Sequence, residues 1–204
     1  MPLNQQIIMG FDFITGKMVS EMDINGNVTS YEYDGFGNLV KTTLPTGKII
    51  NTSYSWVTNN NPENSCYSIT TSSTGSSTNI TYYDFLGREL RNVNTGFEGE
   101  QIIVDKQYYP NGNLKNESLP YKTGNPVWTT YEYDKNNRID LVISPTCSLE
   151  YTYSGKTITV TDCKGESKSK TMNSIGDISS ASDFGGNIQY YYHSSGQIRK
   201  IKFP

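Results

Sequence analysis

Hydrophobic and polar positions alternate along this chain in short runs. Ile50, Thr52, Tyr54 and Trp56 fall on one side of such a run, and Asn51, Ser53 and Ser55 on the other. Residues two apart share one face of a β-strand, so this alternation predicts a strand with two distinct faces. Apolar residues do not recur at i, i+3, i+4 and i+7 over a helical length, and Thr, Tyr, Ile and Val fill the runs. No helix is predicted.

The runs repeat. YEYDGFGNL (Tyr31 to Leu39) returns as YYDFLGREL (Tyr82 to Leu90), YYPNGNL (Tyr108 to Leu114) and YEYDKNNRI (Tyr131 to Ile139). It returns again as YTYSGKTI (Tyr151 to Ile158) and YYYHSSGQI (Tyr190 to Ile198). Each copy places aromatics beside or two residues from one another, then a cluster of Asp, Gly, Asn or Ser that ends the strand, then an aliphatic. Glycines measure the period: Gly16 to Gly26, Gly37 to Gly47, Gly155 to Gly165 and Gly176 to Gly186 are each ten apart. A unit of about 20 residues with a turn every ten reads as two short strands. The repeated structural positions are Tyr33, Asp34 and Gly37; Tyr83, Asp84 and Gly87; Tyr133 and Asp134; Tyr153 and Gly155; Tyr192 and Gly196. Elsewhere the Asp place is expected to pass to Pro110, Ser154, Asn173 and His193.

In chain order, the expectation is one array over residues 1–204. Asn25-Gly26 is the preferred dipeptide of a type I′ hairpin. Residues 57–79 break the period as an inserted loop plus hairpin, and 119–128 form a second long loop. Turns are expected near 25–26, 34–37, 45–47, 111–112, 134–137, 163–165 and 193–196. Tyr33, Tyr133, Tyr153 and Tyr192 should point to a common face, with Tyr133 and Tyr153 stacked or bridged through one side chain. The last unit breaks off after Gly196, with its mid-turn due beyond Pro204. That suggests a fragment: an open curved sheet whose terminal strands, including Ile198 to Phe203, are free or paired only with another copy.

Composition narrows the function classes. Tyrosines number 16 against 7 phenylalanines, which favours strands wet on one or both sides, since Tyr brings a hydroxyl wherever it packs. A formal net charge of −3 shows no electrostatic footprint for nucleic acid or anionic membrane. No stretch has the apolar length to span a bilayer as a helix, and the start, MPLNQQIIMG, lacks the basic and apolar regions of a signal peptide. Three cysteines, Cys66, Cys147 and Cys163, are too few and scattered for a disulfide framework or zinc site. Cys147 and Cys163 are read as free small residues at turns, Cys147 at the mid-turn glycine position of one unit and Cys163 two places before that position in the next.

Candidate chemistry is thin. The fixed place of Asp34, Asp84 and Asp134 between Tyr and a glycine-rich turn argues for Asx-turn hydrogen bonding over acid–base catalysis. His193, the single histidine, falls at the same turn position and supports no nucleophile–base pair. DINGN at Asp23 to Asn27 has a calcium-loop flavour, but Val28 stands where that loop needs glycine, so a hairpin turn is favoured. Asn27, Asn51, Asn79 and Asn116 open formal glycosylation sequons, which a Thr/Ser/Asn-rich chain produces by chance. No catalytic residue, cofactor or metal ligand is assigned.

The repeats resemble the Rhs/YD-repeat family, whose signature is Tyr-x-Tyr-Asp-x-x-Gly-Arg-Leu followed by Thr-Asp-Pro-x-Gly-Asn. YEYDGFGNL and YYDFLGREL carry the first half, and MDINGN (Met22 to Asn27) and VTDCKGE (Val160 to Glu166) the second. The resemblance covers roughly 9–203. Asn38 stands in place of the usual Arg, Lys135-Asn136-Asn137 lacks the Gly, and Cys163 replaces Pro. The resemblance implies a curved strip of antiparallel strands, part of a spiral shell that encloses a toxin polypeptide. The self-cleaving Asp-Pro-x-Gly junction of such shells has no counterpart here. Some fourteen to eighteen short strands are expected, more than a twisted open sheet holds without curling.

Two function classes follow. The first is a non-catalytic structural segment of a YD-repeat shell, secreted or at the cell surface as part of a larger protein, with the rest of that protein and its toxin as partners. The second is a cell-surface glycan-binding or adhesion module, with Trp56, Trp128, Tyr190, Tyr191 and Tyr192 as candidate sugar contacts.

Overall fold

In a computed structural model, residues 6–204 are described, and they are all-β. Residues 1–5, the start of the expected first unit, lie outside the described residues. The chain divides into two compact units, Met1–Lys106 with Pro120–Gly124, and Gln107–Leu119 with Asn125–Pro204. Eighteen strands are present among the described residues, at the top of the expected range.

The first unit holds β1 (Ile8–Phe11), β2 (Met18–Met22), β3 (Val28–Tyr33), β4 (Leu39–Thr43) and β5 (Ile49–Trp56). It continues with β6 (Tyr67–Ser73), β7 (Asn79–Tyr83), β8 (Glu89–Thr95) and most of β9 (Gln101–Tyr108). Each strand pairs antiparallel with its chain neighbour, from β1 with β2 to β8 with β9. The second unit holds β10 (Leu114–Ser118), β11 (Trp128–Tyr133), β12 (Ile139–Ile143), β13 (Ser148–Ser154) and β14 (Thr157–Thr161). Then come β15 (Ser167–Met172), β16 (Ile178–Asp183), β17 (Gly186–Tyr192) and β18 (Ile198–Lys202), again paired with successive neighbours. The expectation that Ile198 to Phe203 would be free or paired only with another copy is corrected for residues 198–202. They pair with β17 from Ile198 against Tyr192 to Lys202 against Gln189.

Sequential pairing follows from short turns, because a hairpin closes with little loss of loop entropy. It also fixes where the turns go. In a meander, alternate turns share a margin of the sheet, so the β1–β2, β3–β4, β5–β6 and β7–β8 connections lie along one edge of the first unit. Lysine side chains tie some turns to the next on their margin. Lys17 Nζ donates to the Gly37 carbonyl at 2.7 Å, and Lys48 Nζ to Ser76 Oγ at 2.6 Å. In the second unit Lys156 Nζ donates to the Asn173 carbonyl at 3.1 Å.

A disulfide joins Cys147 to Cys163, with Cα atoms 5.4 Å apart. This overturns the reading of both as free small residues. Cys147 closes the β12–β13 turn and Cys163 lies in the β14–β15 turn, so hairpin topology stacks two turns that lie 16 residues apart in sequence. Cys66 is free.

Neither unit has a thick dry core. Among the described residues Val93, 7% exposed, is the one buried large hydrophobic side chain. Half-burial on two faces leaves stability to the ladders, the turns and cross-strand pairs, each unit leaning on its neighbours as in other repeat arrays.

Candidate functional site

The turn after each Tyr is built around one side chain. The Asp34 N–H donates to the Asn38 carbonyl, and the Gly37 N–H to the Asp34 carbonyl, both at 2.9 Å. Gly37 takes φ 84°, the left-handed conformation that the last turn position requires and that a Cβ resists. Asp34 Oδ1 then accepts the N–H groups of Phe36 at 2.9 Å and Asn38 at 2.8 Å. Asp84 does the same with Leu86 and Arg88, and Asp134 with Asn136 and Arg138. The calcium-like loop is another copy: Asp23 Oδ1 accepts from Asn25 and Asn27. Its Asn25 lacks positive φ, whereas a type I′ turn needs it at both central residues, so the expected I′ hairpin is instead a turn ending in left-handed Gly26.

These bonds hold the carboxylates ionised. The side-chain and backbone bonds from Asn38 lower Asp34, and those from Arg138 lower Asp134. At Asp84, only 2% exposed, burial pushes upward and the bonds from Arg88 outweigh it. Carboxylates committed as acceptors to their own turns suit turn closure, the Asx role, and not proton donation.

The register of the motif is partly corrected. At 109–113 the turn position belongs to Tyr109, whose N–H donates to Asn113 and whose carbonyl accepts from Gly112, and not to Pro110. Ser154 pairs directly with Thr157 across a two-residue turn, so neither Ser154 nor Gly155 occupies the place of Asp34 or Gly37. Asn173 Oδ1 caps its turn as the aspartates do, while His193 uses backbone bonds alone. Asn137 takes φ 65° where the others have Gly, a conformation that Asn tolerates. Gly87 and Gly196 take φ 75° and 81° at the same step.

The tyrosines carry a second device. Tyr33 Oη donates to the Met18 carbonyl at 2.9 Å, and Tyr133 Oη to Leu114 at 3.0 Å. Tyr153 Oη reaches Ile139, and Tyr192 Oη reaches Ile178, both at 2.7 Å. Each acceptor is the first residue of the preceding strand. Burial raises the Tyr133, Tyr153 and Tyr192 phenols above their usual range, keeping them as donors. Tyr83 instead stacks on Tyr67 with ring centres 5.0 Å apart. A cation from one turn also covers the next unit's ring: Lys17 Nζ lies 4.9 Å from the Tyr33 centroid, and the Arg138 guanidinium 3.9 Å from that of Tyr153. Tyr133 packs edge-on against Tyr109 at 6.2 Å.

The five candidate sugar contacts are not gathered into one site. Trp56 belongs to the first unit and the other four to the second. There Trp128 on β11 stands six strands from Tyr190, Tyr191 and Tyr192 on β17. Trp128 and Tyr190 are half-buried, Tyr191 is exposed beside Lys200, and the Tyr192 hydroxyl is engaged. Trp56 is different: 82% exposed, it lines an open cleft of about 440 Å³ with Asp34, Phe36, Asn38, Tyr54, Ser55 and Tyr67.

One cluster had no sequence signal. Asp105 is buried and takes a two-pronged bond from Arg91, with Nε at 2.5 Å from Oδ1 and Nη2 at 2.9 Å from Oδ2. Tyr121, from the second long loop, donates to Asp105 Oδ2 at 2.6 Å.

Residues 15–49, the β2–β4 hairpins with their flanking turns, match the family model described as RHS Repeat. Residues 15–49 carry an RHS repeat. No curated protein sequence matches it. Among solved structures, TcdB2-TccC3 aligns over 97% of this chain with a TM-score of 0.60 at 11% identity, and its fold is the one seen here. The aligned region is 15% of that chain, so this sequence spans a small part of its structural neighbour. A TcdB2-TccC3-Cdc42 structure aligns over 94% of this chain and 14% of its own, at 13% identity and a TM-score of 0.49. A Photorhabdus luminescens Tc holotoxin pore aligns over 95% of this chain and 16% of its own, at 11% identity and a TM-score of 0.43.

In the second unit the residue after the left-handed turn position, Arg138, does two jobs at once. Arg138 pairs with its own Asp134 at 2.6 Å and covers the next Tyr153. Where Asn38 replaces it, among the described residues no ion pair reaches Asp34 and no cation covers a ring on β5.

Proposed function

We propose that this chain is a stretch of wall in a larger YD-repeat shell, one that encloses or presents a toxin polypeptide, and that it does so without catalysis of its own. The observation that carries the reading is the fold match over 97% of this chain to 15% of a much longer one. A segment that repeats one hairpin, buries no thick core and ties several turns to their neighbours is suited to being continued by further copies. The toxin in this reading comes from the resemblance of the YD repeats to shell proteins. On this reading 57–79 is a hairpin inserted into a single array, and 119–128 a long loop in the same wall.

The Cys147–Cys163 disulfide supports export to an oxidising compartment, since such bonds persist outside the cytosol. No helix among the described residues is long and apolar enough to cross a membrane. The partners are then the remaining repeats and the enclosed polypeptide, with no role for nucleic acid.

The test is the coding sequence on either side. Further Tyr-x-Tyr-Asp repeats should flank this stretch, followed by an unrelated C-terminal polypeptide. A stretch bounded on both sides by non-repeat sequence would contradict the wall.

A further inference from the structure

The cleft beside Trp56 lies where the β3–β4 turn carries Asn38 and other turns carry a cation. In the second unit, the residue after the turn glycine position is Arg138, which satisfies Asp134 and lies 3.9 Å over the Tyr153 ring on the following strand. In the first unit Lys17 likewise lies 4.9 Å over Tyr33. The corresponding residue of the β3–β4 turn is Asn38, which bonds Asp34 Oδ2 through its amide at 2.9 Å but brings no charge. Tyr54 on the following strand is 41% exposed.

Around that place the chain collects further rings. Trp56 is two residues beyond Tyr54 and shares its face of β5. Phe36, 96% exposed at the turn tip, and Tyr67, edge-on to Trp56 at 6.5 Å, complete the lining with Asp34. Four aromatic side chains around a carboxylate that is hydrogen-bonded by Asn38 but neutralised by no cation among the described residues make a seat for an organic cation: ring faces are negative, and the carboxylate adds a full charge.

We propose that this cleft binds an arginine side chain presented by a partner polypeptide, the guanidinium taking the place that Arg138 fills from within the chain in the second unit. Arginine is favoured over other cations because a planar guanidinium both stacks on a ring and pairs with a carboxylate, as Arg138 does. The inference is independent of the wall reading.

The test is a titration of the intact chain followed through the Trp56 indole resonance, with Trp128 as internal reference. The probe is the peptide acetyl-Gly-Arg-Gly-amide, against its Gln counterpart, tetramethylammonium and methyl galactoside. The expected result is a saturable shift of the Trp56 resonance with the Arg peptide alone. Trp56→Ala, an exposed site that folding tolerates, is read through the Phe36 and Tyr54 resonances and should weaken binding about tenfold. Asn38→Arg restores the residue type used at Arg138, so it should fold and abolish binding by filling the seat. A response to the Gln peptide, or to methyl galactoside or tetramethylammonium without the Arg peptide, would overturn the proposal. So would Arg-peptide binding that survives Asn38→Arg.

Discussion

The two units use the same hairpin chemistry and finish their turns differently. Along the margin of the first unit that carries the β1–β2, β3–β4 and β7–β8 turns, the tips are Phe13, Ile14, Phe36, Phe85 and Leu86, all exposed. The turns joining β11–β12, β13–β14, β15–β16 and β17–β18 in the second unit present Lys135, Asn136, Lys156, Ser174, Ser194 and Ser195, with Ile175 the one large apolar tip. The β5–β6 connection on the same margin is polar, so the apolar tips are carried by three of its four turns. Turn closure depends on the Asp and the left-handed residue, which both units keep. The two middle residues of the turn are free to vary, and there the units diverge.

Cross-links separate the units as well. The first is braced by the buried Arg91–Asp105–Tyr121 cluster, the second by a disulfide between turns. Asp105→Ala would strand a guanidinium and a phenol that are both largely buried. It should destabilise the first unit by about 3 kcal/mol, less than a fully buried pair because Arg91 remains partly wet. Hydrogen exchange should rise in β8 and β9 and stay unchanged in β12 to β16; an equal rise in both would erase the distinction. Cys147→Ser, or reduction, removes a 16-residue link and should cost about 2–3 kcal/mol in the second unit alone. The check is faster proteolysis at 144–147 and 162–166, with the first unit's cleavage pattern preserved.

Smaller effects test what the units share. Asp84→Ala removes acceptors for two N–H groups and Arg88, and should cost about 1–2 kcal/mol by denaturant unfolding. Asp134→Ala, at a wetter turn, should cost less. Acid acts on both units alike. Asp34, Asp84 and Asp134 have folded values below the ordinary 3.8, so their stabilisation is complete above that value and is lost as pH falls through the lower folded values. Stability should be flat near neutrality and decline below about pH 4. The raised phenols act oppositely: their contribution is complete below the ordinary 10.0 and fades as pH rises past it. A stability curve flat down to pH 2 would remove the aspartates from the account.

Much of the fold was legible because strand period and turn chemistry are both local. Tyr31, Tyr33 and Asp34 announce a strand end within four residues, and the absence of a helical period left no competing element. Cys147 and Cys163 were misread because pairing depends on which turns stack, a property of the meander and not of either turn. Asn25-Gly26 was misassigned because type I′ and the observed turn both want a left-handed glycine at that step, and they differ at the residue before it. Arg91, Asp105 and Tyr121 lie up to 30 residues apart, with no motif linking them. The Tyr-to-carbonyl bonds were hidden by the acceptor, a backbone group that any residue supplies. Asn38 was visible as a departure from the family pattern, but its consequence for Tyr54 needed the strand pairing.

Whether this stretch is continuous wall can be seen by electron microscopy of the whole product of its coding sequence. Residues 8–202 should lie in the wall of a hollow shell, with the strand next to β18 supplied by a further repeat. Finding them as a separate body, outside any shell and with no repeat paired to β18, would contradict it.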